Sequence, residues 1–334
     1  CFVVFIRFND SFPRTDAMRP MLKVNTMNLK HSKSVLLGTS ALVCFALSAP
    51  VMARDIVITS GTTTNNSGGS LNGNDTANVT GTLDTGTTDS EHGILASDDD
   101  NKITVSNEGH IITGGDDASG IDHTGDTNTN TVSGSITTDG TAAYGISNAG
   151  NNNTTTVSGS ITTAGYSSHG IYNLGSTNTT TVSGSIRTGT GTFAYGIHNR
   201  GASNTTTVSG SIRAGGNYAY GIYNYGDNNT TTISGTVKAT GTKSAALYNA
   251  KGDGNSFTLN EGATIIGDIL ARDATNNAYD ATNSKLIFNL GASTSYAYSV
   301  SGKGEGTGGG QWIFSDLDRS SQVVTTTGTG CDTT

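Results

Sequence analysis

Cysteine is scarce: Cys1 and Cys44 lie in an amino-terminal leader and only Cys331 follows, so the chain after the leader has no intramolecular disulfide to hold it together. Charge is sparse as well, at 13% of the 334 residues, and this argues against disorder, which normally brings high charge density. Basic residues are fewest after the leader: the first 53 residues carry six Lys or Arg against two acids, and the remainder 12 basic against 24 acidic. An acidic surface without a basic stripe argues against nucleic acid and anionic lipid as partners. No ten-residue amphipathic helical pattern occurs in the repeated part of the chain, so helices are not its building unit.

What is present is one stretch, repeated with small changes. It runs Asn178-Thr-Thr-Thr-Val-Ser-Gly-Ser-Ile186, then a Gly-rich bend, then Tyr195-Gly-Ile-His-Asn199. The marker residues Val132, Val157, Val182, Val208 and Ile233 are separated by 25, 25, 26 and 25 residues, and Gly-Ile pairs such as Gly145-Ile146 and Gly170-Ile171 keep the same step. Weaker copies extend back through Val105 and Val79 and forward through Leu259. A fixed period of this size means a solenoid, in which each coil buries its apolar face against its neighbours. The expected fold is all-β, a parallel β-helix of about eight coils of roughly 25 residues. Stacked in register, identical residues lie about 4.8 Å apart.

The chain opens on Cys1 rather than Met, and residues 1–26 are expected to be an over-extended or non-native segment. Residues 27–53 have the form of a signal peptide: a basic stretch after Met27, an apolar run from Val35 to Leu47, and small residues at Val51 and Ala53 that place cleavage between Ala53 and Arg54. The apolar run is too short to span a bilayer, which takes about 20 residues. Residues 54–78 are expected as an amino-terminal cap, 79–300 as solenoid, and 301–334 as an irregular end, with further strand candidates at Lys285–Leu290, Tyr296–Val300 and Gln311–Phe314.

Within a coil, Thr154 to Thr162 alternates as one strand, with Thr155, Val157, Gly159 and Ile161 inward and Thr154, Thr156, Ser158, Ser160 and Thr162 outward. A short second strand, Tyr144 to Asn148, is anchored inward by Ile146. One residue beyond its outward position recurs an asparagine column, Asn148, Asn173, Asn199, Asn224 and Asn249. Asn tolerates left-handed backbone, and its amide can bond to the copies above and below, so this column is expected to be a structural ladder. Matches to Asn-X-Thr among the neighbouring asparagines follow from repeat composition and are weak evidence of glycosylation.

Two aromatic columns stand out: an outward one that is the candidate for recognition, and one close by whose facing depends on whether the following glycine bends the strand. Tyr172, His198, Tyr223 and Tyr248 recur once per coil, and Tyr144, His169, Tyr195 and Tyr220 run close by. Aromatic faces at coil spacing suit a glycan or receptor strip; the alternative is a ladder of rings that stiffens the stack. The Thr and Ser lattice of the first strand offers a third idea, ordering of water or ice, against the plain fact that Thr is a good exposed strand residue.

An enzyme of the polysaccharide lyase or hydrolase kind needs carboxylates converging on one face. The acids cluster instead at Asp98-Asp-Asp100, Asp116-Asp117, Asp122 and Asp126, mostly in bends, and Asp122 beside His123 is the one tempting pair. Lys251-Gly-Asp-Gly-Asn-Ser-Phe257 faintly matches a calcium-binding glycine-rich repeat, but a single copy lacks the paired half-site. No cofactor, metal site or catalytic residue is assigned.

The export signal, the Thr/Asn/Gly/Ser-rich coils, Asn260 to Ile269, and Trp312-Ile-Phe-Ser-Asp-Leu-Asp318 together resemble the passenger of an autotransporter, the type V secretion family. The resemblance implies a right-handed β-helix, passage across the outer membrane of a Gram-negative bacterium, and display at the cell surface or release, commonly for adhesion to a glycan or protein of a host or neighbouring cell. The sequence departs from the family in that no series of amphipathic strands represents its carboxy-terminal translocator barrel before Thr334; the expectation is either a fragment of a longer protein or a barrel encoded elsewhere.

Overall fold

The computed structural model describes residues 2–5, 25–28, 55–59, 70–271, 284–289, 312–314 and 323–327. It forms two units, Cys1–Met52 and Ala53–Thr334. In the first, Phe2–Phe5 pairs antiparallel with Asn25–Asn28. The expected cleavage pair Ala53 and Arg54, most of the leader, and the strand candidate at Tyr296–Val300 lie outside the described residues.

In the second unit every described strand is parallel to its neighbours, and no helix occurs among the described residues. The chain coils through three sheets. The first has 11 strands, from Asp55–Ile58 through Thr154–Val157 to Val323–Thr327. The second has eight, from Thr82–Asp84 through Ser160–Thr163 to Thr264–Ile266. The third has ten, from Ser70–Leu71 through Ile171–Asn173 to Trp312–Phe314. The fold is the β-solenoid that the period implies. The register is that of the repeat, with Val157 paired to Val182, Ile161 to Ile186 and Ile146 to Ile171.

From Thr76 to Ala271 each coil has three strands rather than the two expected. The stretch Thr154 to Thr162 is not one strand: Thr154–Val157 belongs to the first sheet and Ser160–Thr163 to the second, with a corner at Ser158-Gly159. The alternation survives the corner because Val157 and Ile161 are four residues apart, so a turn and a continuous strand look alike in the pattern. Gly159, expected to point inward, sits half-exposed at that corner, where an added Cβ would overlap the backbone carbonyls of Gly134 and Ser133. The strand candidates at Lys285–Leu290 and Gln311–Phe314 appear as Lys285–Asn289 in the first sheet and Trp312–Phe314 in the third, and Val323–Thr327 adds a further strand to the first. Asn260 to Ile269 is part of a coil, as expected, divided among all three sheets.

The core is three columns of apolar side chains, one from each sheet. They run Val105, Val132, Val157, Val182 and Val208; Ile111, Ile136, Ile161, Ile186 and Ile212; and Ile121, Ile146, Ile171, Ile197 and Ile222, each at most 1% exposed. Burying each such side chain stabilises the fold by roughly 1.5–3 kcal/mol. Glycine precedes the isoleucine of the third sheet because the backbone there lies against the second sheet. A Cβ on Gly170 would overlap Ile186 Cγ2 and crowd the carbonyl oxygen of Gly196. Replacing Gly170 by Ala is therefore expected to destabilise the stack by about 1–3 kcal/mol, measured as a lower urea midpoint with an unchanged β-rich circular dichroism spectrum below the transition.

Candidate functional surfaces

The interior also carries polar columns, and they are fully bonded over most of their length. The asparagines expected as a ladder form one: Asn148 Nδ2 donates to Asn173 Oδ1, Asn173 to Asn199, Asn199 to Asn224 and Asn224 to Asn249, at 2.8–3.0 Å. All are at most 1% exposed. Across the coil the same amides donate to inward threonines, Asn148 to Thr155, Asn173 to Thr180 and Asn199 to Thr206, at 3.1–3.3 Å. A polar ribbon thus runs between the first and third sheets. Toward the ends of the stack the threonine column gives way to Ile103 on one side and Phe257 on the other. At its carboxy-terminal end Asn249 Nδ2 and Thr231 Oγ1 are buried without partners among the described residues.

A second amide column has a role that the sequence reading did not assign. From Asn101 to Asn255, once per coil, a buried asparagine at the start of the first-sheet strand accepts a backbone N–H from the coil before it. Examples are Asn101 N–H to Asn128 Oδ1, Asn128 to Asn153 and Asn153 to Asn178, each 2.7 Å. These asparagines open the repeat, and Asn153, Asn178, Asn204 and Asn229 each begin an Asn-Thr-Thr triplet, so their regular spacing was the available signal. Asn153, Asn178, Asn204 and Asn229 are 0% exposed, which closes them to glycosylation in the folded chain.

The two outward aromatic columns form one interlocked ladder. Tyr144, His169, Tyr195 and Tyr220 follow one another at 4.6–5.2 Å between ring centroids. Tyr172, His198, Tyr223 and Tyr248 do so at 4.9–5.4 Å. The columns also touch each other, as at Tyr144–Tyr172, 4.9 Å, and Tyr195–Tyr223, 4.8 Å. Tyr172 is buried and His198, Tyr223 and Tyr248 are half-buried. Most ring faces therefore meet other rings, an arrangement in which each pair adds about 0.5–1.5 kcal/mol to the stack. Arg200 Nη1 donates to the Tyr172 hydroxyl at 3.0 Å, which raises the Arg200 pKa.

Two histidines within this ladder are held neutral. The Tyr195 N–H donates to His169 Nδ1 at 3.1 Å, so His169 carries its proton on Nε2, which lies 3.2 Å from His198 Nδ1. His198 then keeps its own proton on Nε2, a buried atom without a partner. Burial pushes the His169 pKa down to about 3. Burial, followed by the neighbouring His169 and Arg200, holds His198 well below its ordinary value. Tyr144, Tyr195 and Tyr223 are raised, in each case chiefly by burial.

The acids and His123 do not converge. His123 points inward, 0% exposed, in register with Asn148 at the head of the asparagine ladder, and its Nε2 lies 2.7 Å from Asn130 Oδ1. Asp122 points outward, 3.8 Å from His92 Nε2. The sequence neighbours thus lie on opposite faces of a strand. Corner carboxylates are occupied by backbone: Asp99 Oδ1 accepts the Asp126 N–H at 2.7 Å, Asp126 that of Asn151 at 2.6 Å and Asp116 that of Thr141 at 2.7 Å. Asp98, Asp99, Asp100 and Asp126 line an open hollow at one such corner. The stretch Lys251–Phe257 is likewise a corner, with Asp253 N–H bonded to Asp227 Oδ1 and Asn255 Oδ1 accepting from Asn229.

The rest of the outer surface is ordered in columns too. On the first sheet Thr129 and Thr131 lie in register with Thr154 and Thr156, Thr179 and Thr181, Thr205 and Thr207, and Thr230 and Thr232, which makes the expected threonine lattice. On the second sheet, contrary to the expectation of no basic stripe, Arg187, Arg213 and Lys238 stack in register. Composition hid this column, because three cations spread over 52 residues of sequence become adjacent only when the coils stack. At the corner that follows, Tyr166, Phe193 and Tyr218 form a third aromatic row. No family model, curated protein or solved structure matches the chain.

Two outcomes follow from the interior. Asn173→Ala removes one amide from the ladder and leaves the buried Asn148 Nδ2 and Asn199 Oδ1 without a cross-coil partner, a loss expected to be about 2–3 kcal/mol by urea unfolding. The second concerns pH. A histidine of the unfolded chain takes a proton near 6.5, while folded His123, His169 and His198 resist it, chiefly because they are buried. Below about pH 6.5 the unfolded state binds more protons, so stability falls as pH falls, by up to about 1.4 kcal/mol per unit for each histidine. Urea midpoints are expected to be lower at mildly acidic than at neutral pH, with a shallower dependence in His169→Tyr, the residue found in the same column at Tyr144 and Tyr195.

Proposed function

We propose that the β-solenoid is the rod of an exported autotransporter passenger, displayed at or released from the surface of a Gram-negative cell, where it acts in adhesion or as a stalk rather than in catalysis. The observation that carries this reading is the ordering of the outer surface: threonine, aromatic and cationic residues each repeat coil after coil in register along the stack. Repeated identical groups on a rigid support suit repeated weak contacts with a polymer or a cell surface, because each further contact is made at high effective concentration. The polar groups most suggestive of an active centre have structural partners instead, with His123 in the amide ladder and corner carboxylates bonded to backbone. The chain as a whole leans acidic, at a net charge of -8, which favours glycan and protein partners over nucleic acid.

The test is binding of the purified chain to a panel of glycans and matrix proteins, with product formation followed on the same polysaccharides. Saturable binding without turnover is the expected result. Turnover that disappears in Asp122→Ala would instead make the chain a polysaccharide-active β-helix enzyme.

A further inference from the structure

The cationic column is a feature that folding does not explain. Arg187 pairs in register with Arg213, and Arg213 with Lys238, so three like charges stand one coil apart, about 4.8 Å, on the outer face of the second sheet. Like charges directly opposite on neighbouring strands destabilise a sheet. None of the three makes an ion pair with a described residue. Their column holds Thr137 and Thr162 in the two preceding coils, and those coils stack in the same way. The solenoid therefore has no need of a cation here.

The corner next along the chain carries a second unexplained cost. Phe193, Tyr218 and Lys243 have left-handed backbone, with φ of 59°, 50° and 55°. Ala142 and Ser167 occupy the same corner position in earlier coils. Bulky side chains are disfavoured in this conformation, and holding them there sets their rings at the surface. Phe193 is 36% exposed and the neighbouring Tyr166 52%. Tyr166 and Phe193 are 5.8 Å apart between centroids, Phe193 and Tyr218 5.2 Å, and Lys243 Nζ sits 5.2 Å from the Tyr218 centroid. Unlike the interlocked ladder of the third sheet, this row keeps substantial ring surface in solvent. In each of three successive coils a cation of the second sheet is thus followed, five or six residues on, by a corner residue of this row: Arg187 by Phe193, Arg213 by Tyr218, Lys238 by Lys243.

We propose that this edge of the solenoid, from Arg187 and Phe193 to Lys238 and Lys243, binds a linear acidic polysaccharide laid along the stacking axis. Carboxylates of successive sugars meet Arg187, Arg213 and Lys238, while the apolar faces of the sugar rings lie on Phe193 and Tyr218. Arginine suits this task because its planar fork matches a carboxylate. Duplex DNA fits the stripe less well, since it carries one charge per ~1.7 Å and would spread that charge over a protein whose charged residues beyond the leader are mostly acidic. A chain with one charge per sugar matches a short cationic column. The proposal rests on the reading of the rod as a recognition surface and names its ligand class.

The experiment titrates the full chain with polygalacturonate, with neutral dextran and single-stranded DNA in parallel. Polygalacturonate is expected to bind, dextran and DNA not, and binding is expected to weaken as salt is raised. The triple variant Arg187→Thr, Arg213→Thr, Lys238→Thr is expected to lose about tenfold or more in affinity, the product of three exposed charge contacts, with its thermal midpoint retained or raised. Arg187→Lys with Arg213→Lys keeps the charge but loses the planar fork, and should bind more weakly than the parent chain yet more tightly than the triple variant. Phe193→Ser with Tyr218→Ser should weaken binding while leaving its salt dependence. Polygalacturonate binding indifferent to the triple variant, or its absence, overturns the proposal. So does binding of DNA that the triple variant abolishes, which would make the column a nucleic-acid contact. Binding of other panel glycans or proteins without polygalacturonate leaves adhesion standing and this inference fallen; no binding to any panel member removes both.

Discussion

In-register stacking of near-identical coils is the constraint from which the rest of this structure follows. Parallel pairing sets Val157 on Val182, Asn148 beside Asn173 and Ile161 on Ile186, so a residue chosen once is chosen for the whole column. Apolar columns fill the interior at no polar cost. A polar column inside the stack is tolerable only when each group finds its partner in the coil above or below. The amide side chain meets that condition, because it offers a donor and an acceptor pointing in opposite directions and needs no change of residue from coil to coil. Where the ladder stops, at Asn249, a donor is left over, and the coil after it replaces threonine by Phe257 in the facing column.

The same register acts on the outer surface without the same condition. Outward residues need no partner to be soluble, so whatever the repeat carries is displayed as a column. Threonine becomes a lattice on the first sheet, and aromatic residues become an interlocked ladder on the third. Arg187, Arg213 and Lys238 become a line of charge on the second. The first two are compatible with stability alone, since exposed threonine favours strands and stacked rings attract one another. The third opposes stability, and for this reason it points to a ligand more strongly than the aromatic ladder does. Placement of Phe193 and Tyr218 in left-handed backbone at the adjoining corner points the same way.

Corners explain the errors of a reading made from pattern alone. A corner between Val157 and Ile161 leaves the alternation of inward and outward residues unbroken, so two strands pass for one and three sheets for two. The signal that was available is Gly159, whose place, from Gly109 to Gly235, is held by the close approach of the preceding backbone. Asp122 and His123 illustrate the opposite limit: adjacency in sequence suggests a pair, yet successive residues of a strand face opposite ways, and His123 is buried where Asp122 is not.

By itself the sequence determined the coil length, the parallel register, the apolar columns and the asparagine ladder, because each of these follows from a period that is visible in one dimension. Only the tertiary structure decided where the chain turns, which polar groups are shielded, and which residues of different coils become neighbours. Tyr172 and Phe193 are both aromatic members of repeating columns, and one is buried among rings while the other keeps its ring in solvent. Arg187 and Lys238 stand two coils apart in a single line, although 51 residues of chain separate their positions. The reason is physical: periodicity specifies what repeats along the axis, whereas exposure and adjacency depend on how sharply each corner bends and on what the neighbouring coils place beside it.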